Sequence, residues 1–397
     1  MSPVDNAPAL VSLRGARSPH GPVSSFVAAS LPGVESVEDA LLLATRLTHL
    51  QPFPGDGASA TLDLWESLAT LAAFDLGVAR AIEPHVDALA ILDQARDGQA
   101  EDDMAGLDPA GALALPGNSP STDRTWGVFA AEGANVRLTA TPRATPEATL
   151  SAIPETAGGQ DARGTSIPDP VWVLDGTKPW CSLGGSLDAA LVTAWVDDET
   201  RGLFAVDLHQ PGVRVDADGW HARGLSEIPS NPIRFDRVEA VAVGGPGWYL
   251  TRPGFSWGAM GVAACWFGGA VGLARTLLET VQSNPRPDPF LFLHLGAVDT
   301  ALGNAARVLT EAASAVDAGR ATGGEGRLLA KRVRTTVHAA AEEVVRHVAH
   351  ALGPAPLAHD SRHAKRVADL ELYLRQHHAE RDDASLGRAV AEADAPW

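Results

Sequence analysis

Trp180 and Ser182 stand two residues apart in a β-rich run, and their types and spacing suit contact with a flat ring system. Strand side chains alternate between faces, so an indole and a hydroxyl at this spacing point to the same side of a strand. The indole excludes water from one face of a ring, and the hydroxyl donates a hydrogen bond to a polar edge. Taken alone, the pair also fits a barrel-core tryptophan followed by a turn serine.

A second group of reactive side chains lies at residues 371–382, in the run ELYLRQHHAERD. Carboxylates and imidazoles are the side chains that accept protons in general base catalysis. The candidates are Glu371, His377, His378, Glu380 and Asp382. The same run is also typical of a solvated helix face on which the side chains of Glu371 and Arg375 pair across one turn.

Two histidine pairs have a spacing that metal ligands can use on a helix, His347 with His350 and His359 with His363. No cysteine or carboxylate completes either pair, and neither Cys-x-x-Cys nor His-Glu-x-x-His occurs. We therefore predict no metal site. The two cysteines of this long chain favour free thiols over a disulfide framework.

The charge balance argues against a nucleic-acid partner. The chain has 397 residues, 45% of them hydrophobic, and 31 Lys and Arg against 49 Asp and Glu give a net charge of −18. Such a surface repels a phosphate backbone. No unbroken run of roughly 18–20 apolar residues would span a bilayer, and no apolar signal segment follows Arg14 and Arg17. We expect a cytoplasmic protein without a membrane span.

Two helical stretches are predicted before the β-rich part of the chain. Residues 1–35 mix Pro, Ser and Gly, which predicts a flexible or extended lead-in. Apolar residues recur every three or four positions over 37–49 and 62–93, either as one long second helix or as two helices meeting near Glu83 and Pro84. Residues 36–124 are thus predicted to form an N-terminal helical domain that ends in a polar linker.

The remaining chain changes character twice. Short runs rich in Val, Phe, Trp and Thr, separated by Gly, Pro and Asp, predict a middle antiparallel β-barrel or sandwich over residues 125–245, with an insertion at 144–168. Helical periodicity then returns and predicts a C-terminal four-helix bundle over residues 246–397, with helices at 254–282, 291–318, 328–352 and 361–382. The fold class is α+β and multidomain.

Four segments in this order resemble the acyl-CoA dehydrogenase superfamily, over roughly residues 62–387. DGTKPWCSLGGSLDAALVTAW resembles a middle-domain strand pair of that family, with Asp175 to Lys178 as its turn, and NPIRFDRVEAV resembles the strand that leads into the bundle. GVAACWFGGAVGLARTLL resembles the first bundle helix, and HVAHALGPAPLAHD resembles a glycine-rich turn between later helices. The resemblance implies the fold described above and bound FAD.

In the β-domain, the resemblance assigns flavin contacts to Trp180 and Ser182. It also places backbone donors for the flavin at the four residues from Val128 to Ala131. Glu132 and Gly133, which follow them, match the family's motif. Ala131 stands where the family has a threonine, so one expected hydrogen bond is lost.

In the bundle, the resemblance places Arg286 near the FAD pyrophosphate of a neighbouring subunit, and His350 and Gly353 at the turn that holds the adenosine diphosphate. Pro354 and Pro356 replace two glycines of that turn, which leaves fewer backbone donors for the phosphates. The family's habit of sharing FAD between subunits implies a homodimer or homotetramer.

The family's catalytic carboxylate is missing from both of its usual positions. Arg375 occupies the usual glutamate position, and Val262 occupies the position used by a second lineage. An arginine cannot take up a proton at neutral pH. Glu371 and His378 are the first replacement candidates.

Three functions are compatible with these residues. The first is α,β-oxidation of an acyl-CoA thioester with an atypical base, for which an electron-transfer flavoprotein is a candidate electron acceptor. The second is a flavin-dependent monooxygenase on the same fold, which activates O₂ and needs no such base. The third is a non-catalytic relative, which Trp180 and Ser182 argue against because a protein without flavin has no need of that wall.

Overall fold

The computed structural model describes residues 10–14, 20–50, 53–57, 59–97, 124–143 and 171–393. The chain divides into two compact units, each considered by itself. The helical unit comprises Met1–Ile91, Trp220–Pro229 and Thr251–Trp397. The β unit comprises Leu92–Gly219 and Ser230–Leu250.

The helices have the following bounds: α1 Pro22–Ser30, α2 Val37–Thr48, α3 Ala60–Phe74, α4 Leu76–Asp97, α5 Trp248–Thr251, α6 Pro253–Ser283, α7 Pro289–Asp317, α8 Gly323–Leu352, α9 Ala355–His359, α10 Ser361–Tyr373 and α11 Glu380–Ala391. Among the described residues, short 3₁₀ helices cover Leu31–Gly33 and Leu374–Gln376.

Helices α3 and α6 form the centre of the helical unit, and their backbones approach very closely. Every residue of α3 from position 61 to 73 is buried. Gly268 of α6 lies directly against Ala69, so that a Cβ there would overlap the Ala69 carbonyl oxygen. Gly272 lies against Ala73 in the same way, one turn later. The predicted N-terminal helical domain and C-terminal bundle are therefore one unit and not two, because glycines let α3 pack inside the bundle.

The flexible or extended lead-in predicted over residues 1–35 contains a helix, because residues 22–30 form α1, which is tied to α3. Asp63, buried on α3, accepts hydrogen bonds from the backbone N–H groups of Val23 and Ser24 at 2.9 and 3.0 Å. Glu66, also buried, accepts one from Leu13 N–H at 2.8 Å. The two carboxylates satisfy donors of the lead-in, including donors at the start of α1. These contacts span about forty residues or more, which local sequence patterns do not reveal.

Two predicted helix boundaries also differ. The break in the 62–93 stretch lies at Asp75 and not at Pro84, because Asp75 adopts an extended backbone and its side chain accepts from Gly77 N–H at 2.7 Å. Pro84 lies inside α4. The fourth bundle helix, predicted over 361–382, ends at Tyr373. A 3₁₀ turn and Ala379, whose φ is 45°, separate it from α11.

In the described part of the β unit, five strands form a closed barrel and two further strands pair with it. The strands are β1 Trp126–Phe129, β2 Leu138–Pro142, β3 Trp172–Lys178, β4 Ala189–Trp195, β5 Arg201–Asp207, β6 Val213–Val215 and β7 Ile233–Ala242. The barrel follows the order β4-β2-β3-β7-β5 and closes through β4–β5 pairing. The predicted antiparallel character was wrong for two pairs, because β1 and β2 both pair with β4 in parallel.

Helix α6 is long and apolar enough, by length and composition alone, to cross a membrane. However, 67% of its most apolar window is buried inside the protein. A central helix of a soluble bundle has the same composition.

The contact between α3 and α6 can be tested with a pair of glycine substitutions. Gly268→Ala should lower the free energy of unfolding by about 1–3 kcal/mol, because the added methyl meets a backbone oxygen that cannot rotate away. Gly296→Ala is the matched control in an exposed part of α7 with open space around it, and should stabilise by roughly 0.5–1 kcal/mol. Urea unfolding of both variants measures the difference. Equal effects would contradict the proposed contact.

Candidate functional sites

The β unit buries a lysine in a hydrogen-bonded network. Lys178, the last residue of β3, is 1% exposed, and its ammonium donates to Glu132 at 2.7 Å and to Thr193 at 2.8 Å. Glu132 also accepts from Trp195 at 3.1 Å and from Arg201 at 3.2 Å. The network joins β3, β4 and β5 to the loop after β1. The sequence predicts Asp175 to Lys178 as a turn, but all four residues lie in β3.

Opposing effects set the charges in this network. Burial lowers the pKa of the Lys178 ammonium, which the hydrogen bond to Glu132 opposes. Burial would raise the pKa of the Glu132 carboxyl, but the hydrogen bonds from Lys178, Trp195 and Arg201 outweigh it and lower that pKa. The carboxylate therefore stays charged at neutral pH, and the buried lysine keeps its counter-ion.

Trp180 and Ser182 do not lie on a strand face. Both follow the end of β3, in a loop where Trp180 takes a positive φ of 59° and its side chain is 60% exposed. Ser182 is buried, and its hydroxyl lies 2.8 Å from that of Ser230. The strand-alternation argument was thus wrong, although the two residues remain neighbours in space. Between them, Cys181 N–H donates to the Asn231 carbonyl oxygen at 3.2 Å.

The cysteine between these residues is not a nucleophile. Cys181 is buried, and burial raises the pKa of its thiol to about 12. Cys265 is buried as well, and both cysteines are free, which confirms the prediction that they form no disulfide framework.

The other predicted cofactor contacts of the β unit lie in and after β1. Val128 pairs with Leu191 of β4, so its backbone is in the sheet. Ala131 is exposed, and Gly133 forms an isolated bridge with Val136.

In the helical unit, the residues predicted to hold the pyrophosphate lie at one end of the α7–α8 pair. Arg286 is exposed in the linker before α7, and Gly353 caps α8 with a φ of 65°. His294, early in α7, brings the two ends together, because its ring lies 5.2 Å from that of His347 and 6.0 Å from that of His350. Arg286 and His350 are exposed at this end, where their side chains suit contact with a phosphate, whereas the Gly353 N–H donates to the Ala349 carbonyl oxygen at 3.0 Å.

None of the first candidates for the missing base is buried. Arg375 lies in the 3₁₀ turn, where its exposed guanidinium pairs with Glu342 at 2.7 Å. Glu371 is exposed on α10 and offers Arg375 its backbone oxygen in place of the predicted side-chain pair. His378 is exposed and faces Asp382 at 3.4 Å. Val262 is half-buried on α6.

The buried titratable group in this turn is His377. It is 2% exposed and stacks on His338 of α8, with ring centroids 4.1 Å apart. The indole of Trp266, fully buried on α6, meets both rings edge-on at 6.2 and 6.4 Å. Burial lowers the pKa of each imidazole, and His338 lowers that of His377 further, so both are neutral at pH 7. The sequence places His377 among the candidates but ranks it behind its exposed neighbour.

Sequence reasoning missed a buried carboxyl on α4. Glu83 pairs with Arg80 at 3.2 Å, and burial raises the pKa of its carboxyl to about 7, against the attraction of Arg80. A carboxyl that titrates near neutral pH can serve as a general base. Its only local signal is an acidic residue within an apolar helical pattern, just before Pro84.

A cluster of three carboxylates elsewhere in the helical unit shares a single lysine as its partner. Asp75, Glu227 and Asp369 are close enough together to hold a metal ion. However, the Lys365 ammonium lies 2.7 to 2.9 Å from all three. Asp369 also accepts from Leu225 N–H at 2.6 Å. The cluster therefore acts as an internal ion-pair network between α10 and the residues around it.

Comparison with known sequences links the chain to one curated protein. No protein-family model matches this sequence. Over 110 residues it is 29% identical to "Putative acyl-CoA dehydrogenase YdbM" of Bacillus subtilis (strain 168). The match spans 25% of this chain and 29% of the length of that relative.

Solved structures match nearly the whole chain. KijD3 in complex with FMN and dTDP-3-amino-2,3,6-trideoxy-4-keto-3-methyl-D-glucose superimposes with a TM-score of 0.70 at 18% identity, over 94% of this chain and 95% of that one. A nitrososynthase from Micromonospora carbonacea var. africana gives 0.69 at 14% identity, over 96% and 99%. Butyryl-CoA dehydrogenase from Megasphaera elsdenii gives 0.68 at 15% identity, over 93% and 94%. The chain has the acyl-CoA dehydrogenase fold, which confirms the predicted resemblance.

The Lys178 network generates a stability prediction. Glu132→Gln should lower the free energy of unfolding by about 3 kcal/mol, because it leaves a buried ammonium without its counter-ion. Glu239→Gln is the matched control, since Glu239 pairs with the largely exposed Arg143, and should change stability by less than about 1 kcal/mol. Chemical denaturation followed by circular dichroism compares the two. A Glu132→Gln protein as stable as the control would show that Lys178 does not depend on this partner.

Proposed function

We propose that this protein is a flavin-dependent oxidoreductase that binds FAD and oxidises the Cα–Cβ bond of an acyl thioester. The observation that carries the proposal is the indole of Trp180, 60% exposed beside the buried hydroxyl of Ser182. A large exposed aromatic surface is unfavourable in water and often marks a ligand site. The acyl-CoA dehydrogenase fold supports a flavin as the ligand.

The residues around Trp180 fit the ring system of a flavin. Trp180 offers an aromatic face, and the hydroxyls of Ser182 and Ser230 offer donors for a polar edge. Asn231 holds the same loop, and its side-chain oxygen is buried without a partner among the described residues, ready to accept from a ring N–H. A bound flavin supplies an acceptor for hydride. The protein holds the ring, excludes water and takes up the proton.

The groups at the end of the α7–α8 pair favour FAD over FMN. FAD carries a pyrophosphate and an adenosine that FMN lacks, so it needs cationic or backbone donors beyond the ring site. Arg286 offers an exposed guanidinium and His350 an exposed imidazole for these contacts.

Oxidation of a thioester needs a proton acceptor, and the buried groups of the helical unit supply candidates. A neutral imidazole or a carboxyl that titrates near pH 7 is suited to accept an α-proton. The second candidate function is monooxygenation. It is favoured by one observation, the Arg375–Glu342 ion pair at the position where dehydrogenases of this fold carry their carboxylate.

The cofactor can be identified directly. The purified protein should be yellow and should release FAD, not FMN, on heating. Trp180→Ala should weaken FAD binding about tenfold through loss of ring stacking, whereas Trp180→Phe, which keeps an aromatic face, should lose less. Fluorescence titration of the apoprotein measures both. A colourless protein that binds no added FAD would disprove the flavin assignment.

Thioester oxidation and monooxygenation can be distinguished because only monooxygenation needs O₂. Butyryl-CoA and octanoyl-CoA should bleach the flavin anaerobically, but slowly, because the usual carboxylate is missing and loss of a general base commonly costs about 10²–10⁴-fold in rate. Stopped-flow absorbance at the flavin band measures the rate. If acyl-CoA does not bleach the flavin and chemically reduced enzyme consumes O₂ with substrate oxygenation, monooxygenation is the correct reading.

A further inference from the structure

We propose that His377 is the proton acceptor of this enzyme and that Thr335 and Asp383 carry its proton to the surface. The inference rests on the proposed oxidation of an acyl thioester and names the group that replaces the missing carboxylate. It is drawn from a chain of contacts that runs from a buried imidazole nitrogen to an exposed carboxylate.

The two nitrogens of the His377 ring have different surroundings. Nε2 lies 3.4 Å from the hydroxyl of Thr335 on α8, which in turn donates to Asp383 of α11 at 3.2 Å. The Asp383 side chain is 56% exposed, so the path ends in water. Nδ1 is buried and has no hydrogen-bond partner among the described residues. Buried polar atoms are rarely left unpaired, so an open Nδ1 indicates a group that is absent from the protein itself.

The surrounding residues hold this ring in place. Arg334 of α8 stacks on the Trp266 indole at 4.5 Å and donates to the carbonyl oxygens of Ala259 and Gln376, both at 3.0 Å. The second of these bonds fixes the turn that immediately precedes His377. Trp266 Nε1 is also buried without a partner in the described part of the chain, so a second open polar atom lies beside the histidine pair.

Several charged groups act on the ring. They are His338 and Arg334 of α8 and Asp382 and Asp383 of α11. Glu342 and Arg375 act on the neighbouring His338 ring, and Tyr373 of α10 meets the Trp266 indole edge-on. The nearer acids, Asp382 and Asp383, favour the protonated ring, whereas burial, His338 and Arg334 disfavour it. The ring is therefore neutral before the reaction, and the acids that stabilise its proton lie on the side of Thr335.

The proposed proton transfer uses both nitrogens of the His377 ring. The neutral ring carries its hydrogen on Nε2, and the Nδ1 lone pair takes the α-proton of the substrate. The Nε2 hydrogen passes to Thr335 as the Thr335 hydroxyl hydrogen passes to Asp383, which releases it to water. A bound oxidised flavin would supply the two-electron oxidant and would accept the hydride from Cβ, so that the loss of one proton and one hydride leaves one C=C bond in the substrate.

Stopped-flow reduction of the FAD-loaded, full-length protein by butyryl-CoA and octanoyl-CoA tests the assignment. His377→Gln should slow reduction about 10²–10⁴-fold while FAD stays bound. His378→Gln is the matched control, since the neighbouring ring is exposed and paired with Asp382, and it should stay within about twofold of the parent. If flavin reduction in His377→Gln is as fast as in the parent, the proposal is wrong. It is also wrong if Glu83→Gln loses flavin reduction while His377→Gln keeps it.

The relay predicts a particular pH dependence. Because the pKa of His377 lies below its usual 6.5, the parent rate should be level above about pH 7 and fall as acid protonates the ring. Asp383→Asn removes a charge that favours the protonated ring, so this acid limb should move to lower pH. Thr335→Val should slow flavin reduction about tenfold without shifting the acid limb of the pH profile. A variant Asp383→Asn with an unchanged pH profile contradicts the relay.

A titration without substrate separates this proposal from the proposed function. NMR of ¹³C-labelled histidine rings, with the His377 signal assigned by its loss in His377→Gln, should give a pKa below 6.5 that falls further in Asp383→Asn. This readout needs neither flavin nor acyl-CoA. If the titration behaves as expected and acyl-CoA leaves the flavin oxidised, the thioester assignment is wrong and the relay stands. If His377 does not respond to Asp383→Asn, the relay is wrong whatever the substrate.

Discussion

The backbone contact between Gly268 of α6 and Ala69 of α3 is the constraint on which the helical unit depends. Helices in contact through glycine lie closer than their side chains would otherwise allow, and the position of α6 in the bundle is then fixed. Trp266 stands two residues before this glycine, so its buried indole is placed by the same contact. The rings of His338 and His377 pack against that indole. The close approach of the α3 and α6 backbones thus determines where the imidazoles of His338 and His377 lie.

In the β unit, a buried ion pair fixes the position of the loop that carries Trp180. A buried ammonium is costly unless it is paired, and Lys178 meets that requirement with Glu132 and Thr193. The same residue ends β3 and begins the loop that presents Trp180. The ion pair therefore fixes the start of that loop, while the indole of Trp180 is exposed and the hydroxyls of Ser182 and Ser230 lie 2.8 Å apart. The strain of a positive φ at Trp180 is tolerated because both sides of the loop are anchored.

The sequence predicts the order of elements and the fold well, because amphipathic periodicity and β-rich runs are local features. It does not predict the tie between α1 and Asp63, the parallel pairing of β1 with β4, or the merging of two helical regions into one unit. All three depend on contacts between distant residues. Among the candidate site residues, Trp180, Ser182 and Arg375 are singled out by spacing and resemblance. His377 cannot be separated from His378 in this way, since only the break after Tyr373 decides which of the two faces inward.

The choice of imidazole over carboxylate has a physical logic in this bundle. A buried carboxylate beside Trp266 would carry its charge in the resting protein, at the desolvation cost that also raises the pKa of the Glu83 carboxyl on α4. A neutral imidazole carries no charge until the proton arrives, so its desolvation cost in the resting protein is small. Glu342 and Asp383 remain at the surface, where water stabilises them, yet lie near enough to favour a protonated ring. The charged carboxylates of this region thus lie in solvent, and the buried imidazole of His377 is uncharged before the reaction.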